Sequence, residues 1–279
     1  MRPYSIRFFH RILFVFRRLK LRDFSFRIRM MVALSATVCM VLLPAFQNTT
    51  AQTNWSWPAL LSGEKFTKHL AYSVSYNYKH MQANWVAYEL PLSHTLGAAE
   101  RESRFVVDPI INPKTARTED YTKSGFDRGH LAPAADMKFS AQAMTESFYT
   151  SNISPQRPGL NRGIWKKLEE KIRDWAPASH PLFIVTGPVL TDALDQTIGR
   201  YNQISVPKRF FKVLLDTAQP ARAIGFVFQN QGSEMPLSSF ALPIDAVERI
   251  TGRDFFPQLD DEHEGQLEKT IDLRRWDFQ

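Results

Sequence analysis

Apolar side chains recur at three- and four-residue intervals through residues 161–175, where Ile164, Trp165, Leu168, Ile172 and Trp175 fall on one side of a helix. Pro177 closes that pattern. A shorter helix is predicted over 140–149 with Ser140 as its cap, and another over 244–251 ending near Gly252. Between them the period shortens. Residues 70–78, 85–90 and 105–109 are rich in β-branched and aromatic side chains and predict strands, while 182–186, 210–215 and 223–229 are continuous apolar runs of buried-strand length. Residues 52–66 have no period and read as an arm, and the run 260–264 reads as a solvated acidic loop. No internal repeat, low-complexity tract or linker divides the chain. The pattern predicts one α+β domain over residues 52–279, a mixed central sheet flanked by helices.

The first 51 residues read as an address instead. Residues 1–29 hold nine Lys and Arg against the single acid Asp23, and an apolar run follows over 30–46. That order of basic, apolar and small residues predicts a signal peptide cleaved after Ala51 and a secreted or periplasmic product. An uncleaved membrane anchor and a mitochondrial transit peptide are the alternatives, so a membrane is a partner only if the leader stays attached. The formal charge of +7 is a property of this leader, because 26 basic and 27 acidic residues remain from position 52 onward. Net charge therefore cannot attract an anionic partner, and a local basic groove would have to. Cys39, the only cysteine, lies in the apolar run, which leaves no thiol for a disulfide or a cysteine metal site in the rest of the chain.

Chemistry concentrates in Gly125-Phe126-Asp127-Arg128-Gly129-His130. An imidazole can take a proton from water near neutral pH, a guanidinium can hold phosphate oxygens in a fork, and glycine lets backbone approach an anion. Downstream, Ser151-Asn152-Ile153-Ser154-Pro155-Gln156 and Leu160-Asn161-Arg162-Gly163-Ile164-Trp165-Lys166-Lys167-Leu168-Glu169 add an amide and a carboxylate, hard oxygen donors suited to magnesium. These blocks, in this order, resemble the DNA/RNA non-specific endonucleases, the ββα-metal nucleases similar to endonuclease G. The resemblance extends over roughly residues 65–270, through Ala83-Asn84-Trp85, Ile184-Val185-Thr186-Gly187-Pro188 and Thr251-Gly252-Arg253-Asp254.

The resemblance implies a β-hairpin carrying His130 packed on a helix carrying Asn161 and Glu169, and a Mg²⁺-dependent hydrolysis of DNA and RNA that leaves 5′-phosphates, with Mn²⁺ as a substitute. His130 is then the general base, with Arg128 lowering its pKa and clamping phosphate, and Arg104 is a second, looser match to a phosphate-binding arginine. Asn161 is the metal ligand. Glu169, eight residues further along one helix, is assigned to hold a water on the ion or to orient a site residue, with a solvated face paired with Lys166 or Arg173 as the lesser alternative. Asn152 and Gln156 are expected to support the hairpin and the groove through backbone hydrogen bonds, with contact to substrate as the lesser alternative. DNA and RNA are the expected partners through their phosphates, and the resemblance admits a homodimer and an inhibitor protein. Two other functions fit the same residues: a nuclease-like domain that binds without cutting, and a phosphodiesterase of small nucleotide esters.

Overall fold

The computed structural model describes residues 57–111, 115–259 and 261–279, with the side chains of 261–264 excepted. The predicted leader and Cys39 lie outside them. Seven strands form one antiparallel sheet. In chain order they are β1 (Thr67–Lys68), β2 (Ser73–Asn77) and β3 (Gln82–Leu90), then β6 (Leu182–Pro188), β9 (Arg209–Asp216), β10 (Arg222–Gln229) and β11 (Ala241–Leu242). Their spatial order is that same order. Two small ribbons stand apart from it, β4 (Asp127–His130) with β5 (Ile153–Gln156), and β7 (Thr197–Ile198) with β8 (Ile204–Ser205). The helices are α1 (Leu92–Thr95), α2 (Ala141–Ser147), α3 (Trp165–Trp175), α4 (Ile244–Thr251) and α5 (Asp261–Lys269).

Helices cover the sheet on both faces, which is why its central strands read as unbroken apolar runs. Ile184, Phe210, Leu214, Ile224 and Phe226 pack with Trp165, Leu168, Ile172 and Trp175 of α3. Their neighbours Val185, Phe211, Val213 and Leu215 pack on the opposite face with Ile244 and Val247 of α4 and with Phe255 and Phe256. Each such side chain, fully buried, contributes roughly 1.5–3 kcal/mol. The alternation also assigns Lys212, flanked on its face by Phe210 and Leu214, to the α3 side, and it is fully buried there.

Three expectations change. Residues 105–109 form no strand; a single parallel bridge joins Val106 to Tyr149. That segment is fastened by a side chain instead. The buried Asp108 carboxylate accepts hydrogen bonds from the backbone N–H of Ile110 (2.9 Å) and from Ser151 Oγ (2.6 Å), and it meets His69 Nε2 at 2.9 Å. The long helix begins at Trp165 and not at Asn161, because residues Leu160–Ile164 make a separate wide turn in which Gly163 leaves helical torsions (φ −104°, ψ −115°). The predicted acidic loop is the start of α5, Asp260 lying outside the described residues. Other boundaries hold: Ser140 caps α2 by accepting the Ala143 N–H, and Gly252 ends α4 in the left-handed conformation at φ 67°.

Gly225 lies on the α4 side of β10, and a Cβ there would come 2.4 Å from Val247 Cγ2. Gly225→Ala should therefore lower stability by roughly 1–3 kcal/mol in urea denaturation through overpacking, since α4 must shift to admit the methyl group. An unchanged midpoint would show that this interface is loose.

Candidate active site

Ribbon β4–β5 sets the first half of the site. Alternation along a strand sends Arg128 and His130 to one face and Gly129 to the other, in a register that pairs Gly129 with Ser154 and His130 with Ile153. Gly129 is needed for a reason other than access to an anion. A Cβ at that position would lie 2.2 Å from Oε1 of the buried Gln156 side chain. Gln156 thus fills the space behind the strand, and its amide makes no hydrogen bond among the described residues, unlike the expected backbone contact. Asn152 does act through the backbone: it accepts from the Ala132 N–H (2.9 Å) and donates to the carbonyls of Ala132 (2.9 Å) and Ser147 (2.8 Å). It closes the long excursion between β4 and β5 just beyond His130.

His130 is wedged between aromatic rings, 5.4 Å from Phe105 and 4.8 Å from Phe148, and its Nε2 is buried without a partner. Burial first, and the Arg101 cation second, push its pKa down to about 3. The imidazole is therefore neutral throughout the physiological range and keeps a lone pair. The cation responsible is Arg101 and not Arg128, as the sequence suggested. Arg128 donates to the Thr118 carbonyl (2.7 Å) and lies against Phe105 and Tyr121. Nor does it pair with its neighbour Asp127, whose carboxylate is taken by Arg162 (2.8 and 2.6 Å) and by Asn161 Nδ2 (2.9 Å).

That last contact fixes the second half of the site. A carboxylate only accepts, so the Asn161 amide must turn its nitrogen to Asp127, and its carbonyl oxygen is presented elsewhere. The turn over Leu160–Ile164 places this side chain ahead of α3 and not along it, so the helical spacing assumed between Asn161 and Glu169 does not apply. His130, Arg128, Asn161 and Glu169 all line one cavity of about 430 Å³, together with Arg101, Phe105, Arg162, Lys166 and Arg173. The Asn161 amide oxygen and the Glu169 carboxyl, both on the wall of this cavity, are hard oxygen donors of the kind a divalent cation takes. Arg104 does not line this cavity. It is exposed, in an irregular segment where Glu102 accepts its backbone N–H, and Arg101 lines the wall in its stead.

Beneath the cavity is a charge cluster that sequence reading missed. Lys212 Nζ donates to the Leu131 carbonyl (3.2 Å), one residue after His130, and lies 4.8 Å from the Trp165 ring centre. Burial lowers its pKa, and the attraction of Glu169 and Asp136 opposes that shift. Burial likewise raises the carboxyl of Glu169, opposed by Lys212. Asp136, raised by burial, meets Arg173 at 3.0 Å and accepts from Tyr88 Oη at 3.1 Å. Glu169 is accordingly no solvated helix residue paired with Lys166; that lysine pairs with Glu170 (3.6 Å). A lysine inside the apolar run Phe210-Phe211-Lys212-Val213-Leu214 was the available signal, since a strand covered on both faces can bury a cation only against carboxylates.

The DNA/RNA non-specific endonuclease family model matches residues 59–262. Zebrafish (Danio rerio) mitochondrial nuclease EXOG is 37% identical over 211 residues, covering 70% of this chain and 60% of that protein. The mitochondrial nuclease of Saccharomyces cerevisiae is 38% identical over 200 residues, covering 63% and 61%, and human mitochondrial endonuclease G is 33% identical over 204 residues, covering 68% of each. The chain thus spans about three fifths of the length of the EXOG and yeast relatives. Among solved structures, an EndoG/EndoGI complex that describes EndoG inhibition aligns with a TM-score of 0.68 at 28% identity, over 76% of this chain and 92% of that one.

Two measurements probe the site. In an NMR titration the His130 ring should stay neutral down to about pH 4, and Arg101→Gln should raise its pKa; ordinary titration near 6.5 would contradict the burial argument. Because the native value lies below that of an unfolded histidine, the unfolded chain binds the proton first. The stability is fully present above about 6.5 and is lost as pH falls toward 3. Separately, Lys212→Met should cost about 3–5 kcal/mol in denaturant, by stranding buried carboxylates. Adding Glu169→Gln to it should recover part of that loss, whereas simple additivity would mean the two charges do not interact.

Proposed function

Since this chain belongs to the DNA/RNA non-specific endonuclease family, we propose that it is a metal-dependent endonuclease that hydrolyses internal phosphodiester bonds of both DNA and RNA. The observation that carries this reading is the convergence of His130, Arg128, Asn161 and Glu169 on a single cavity from separate parts of the chain. His130 is the general base: its neutral ring accepts a proton from the attacking water. Arg128 and Arg101 hold the non-bridging oxygens of the scissile phosphate and balance the charge that builds on them. Asn161 would hold a divalent ion through its carbonyl oxygen, its nitrogen being committed to Asp127. Bound there, Mg²⁺, or Mn²⁺ in its stead, supplies electrophilic charge to the phosphate. Glu169 sets a carboxyl group at the cavity wall to orient water, and the Lys212 cation opposes the burial that raises its pKa.

Reading only phosphates, the site needs no base contacts, which accords with sugar- and sequence-independent cleavage. Relatives named as mitochondrial support the organelle alternative for the arginine-rich leader; export has no support among them. An inhibitor partner is supported by the solved neighbour, itself an EndoG/EndoGI complex.

Closed circular plasmid tests the proposal. The protein should nick it with Mg²⁺ and not with EDTA, and His130→Ala should lower the rate by about 10²- to 10⁴-fold while the fold is kept. Cleavage of a small chromogenic diester with the plasmid left intact would favour a phosphodiesterase of small esters. Binding without nicking would favour a non-catalytic domain.

A further inference from the structure

The short helical turn Thr118–Tyr121 does two things at once. On one side its Thr118 carbonyl holds the Arg128 guanidinium at 2.7 Å, and Thr118 Oγ1 donates to the carbonyl of the cavity-lining Phe105 at 2.9 Å. On the other side Asp120, nearly fully buried, accepts four hydrogen bonds: from the backbone N–H of Arg117 (2.9 Å), Tyr201 (2.7 Å) and Asn202 (3.1 Å), and from Asn202 Nδ2 (2.7 Å). Those bonds lock the loop between β7 and β8 onto the turn. Below it, Ile198 and Ile204 of β7 and β8 share a small core with Tyr121 and with Ile153 of β5. The loop is therefore rigidly tied to the ribbon that carries His130.

What this scaffold presents to solvent is a cationic cluster outside the cavity. The guanidinium carbons of Arg117 and Arg200 each lie 5.4 Å from the ring centre of Tyr201, which is 56% exposed. Both arginines are exposed, and neither is in an ion pair with a carboxylate among the described residues. Glu119 is the exposed acid on the turn, and Asp120 is consumed by its four donors. Two guanidinium groups steadied by one aromatic ring, neither paired with a carboxylate among the described residues, can each take up a phosphate oxygen. The residue after Arg117 is the one that positions Arg128. A strand that advances roughly 3.4 Å per nucleotide along its axis would therefore pass this cluster within a few nucleotides of the phosphate at Arg128.

We infer that Arg117, Tyr201 and Arg200 form an accessory subsite for backbone phosphates of the polynucleotide whose scissile bond lies in the cavity. The subsite favours long chains over short ones. This rests on the proposed endonuclease reading, and its test is chosen so that the two can fail separately. Binding of a single-stranded 20-mer is measured by fluorescence anisotropy across a salt series, and cleavage is measured on plasmid and on a small chromogenic diester.

In Arg117→Gln/Arg200→Gln, two lost phosphate contacts should reduce the slope of log affinity against log salt by about 1.4 on the single strand and weaken binding by at least ~10-fold at low salt. KM for plasmid should rise with kcat nearly unchanged, and kinetics on the small diester should not move. The lysine pair Arg117→Lys/Arg200→Lys should restore most of the salt slope. An unaltered slope in the glutamine pair, or a lysine pair as weak as the glutamine pair, overturns the subsite while leaving the nuclease reading intact. Should the wild type fail to cut plasmid with Mg²⁺, the nuclease reading falls, and the anisotropy series still decides whether these arginines contact phosphate.

Discussion

A cation buried under the sheet's helical layer organises this molecule. Lys212 sits on a strand covered on both faces, where an unpaired ammonium would be forced to lose its proton or expel its strand. It is retained because α3 brings Glu169 and the excursion after His130 brings Asp136, and because its proton reaches the carbonyl of Leu131. One side chain thus touches the central sheet, the helix behind the cavity and the chain leaving β4. The two halves of the site, the ribbon with His130 and the helix with Glu169, are fixed relative to each other through the core and not across the cavity.

A second constraint acts at the rim. Asp127 begins the strand that ends in His130, yet its carboxylate faces the turn before α3, where it takes two bonds from Arg162 and one from Asn161. The exposed Arg162 pair adds little stability by itself. Its consequence is orientation: the Asn161 amide has one way to point, and the turn that holds it needs Gly163 outside helical torsions. Lys212 from below and Asp127 from the rim together determine which oxygen atoms reach the cavity.

Strands β2, β3, β6, β9 and β10 and the helices α2, α3 and α4 were legible, apart from the start of α3, because their information is local: period, cap and stop signal lie within each segment. The ribbon motif and the meeting of His130, Arg128, Asn161 and Glu169 on one cavity were expected from the family resemblance that their motif blocks carry, not from local periodicity. What was not legible depends on partners distant along the chain. Asp127 and Arg162 are 35 residues apart, and nothing near Arg128 indicates that its cation belongs to Thr118. Arg101 and Arg104 are indistinguishable in a stretch with no period, since residues 105–109 are held by the Asp108 side chain and not by a ladder. Lys212 left a trace that went unread, a charge at even parity with Phe210 and Leu214 inside an apolar run.

The nearly neutral balance of residues 52–279 and the basic character of the cavity are reconciled by how the acids are engaged. Of the five cations at its wall, Arg162 meets Asp127, Arg173 meets Asp136 and Lys166 meets Glu170. Arg101 and Arg128 have no carboxylate partner among the described residues, and each lies against an aromatic ring, Phe148 for Arg101 and Phe105 for Arg128. Aromatic support holds a guanidinium in place without neutralising it. The positive potential that a phosphodiester meets is therefore carried by these two cations, and Arg101 adds to the burial that keeps the His130 imidazole unprotonated. A uniformly basic surface would bind polyanions everywhere; pairing three of the five cations and leaving two without a carboxylate confines the pull to the cavity that also holds the proton acceptor.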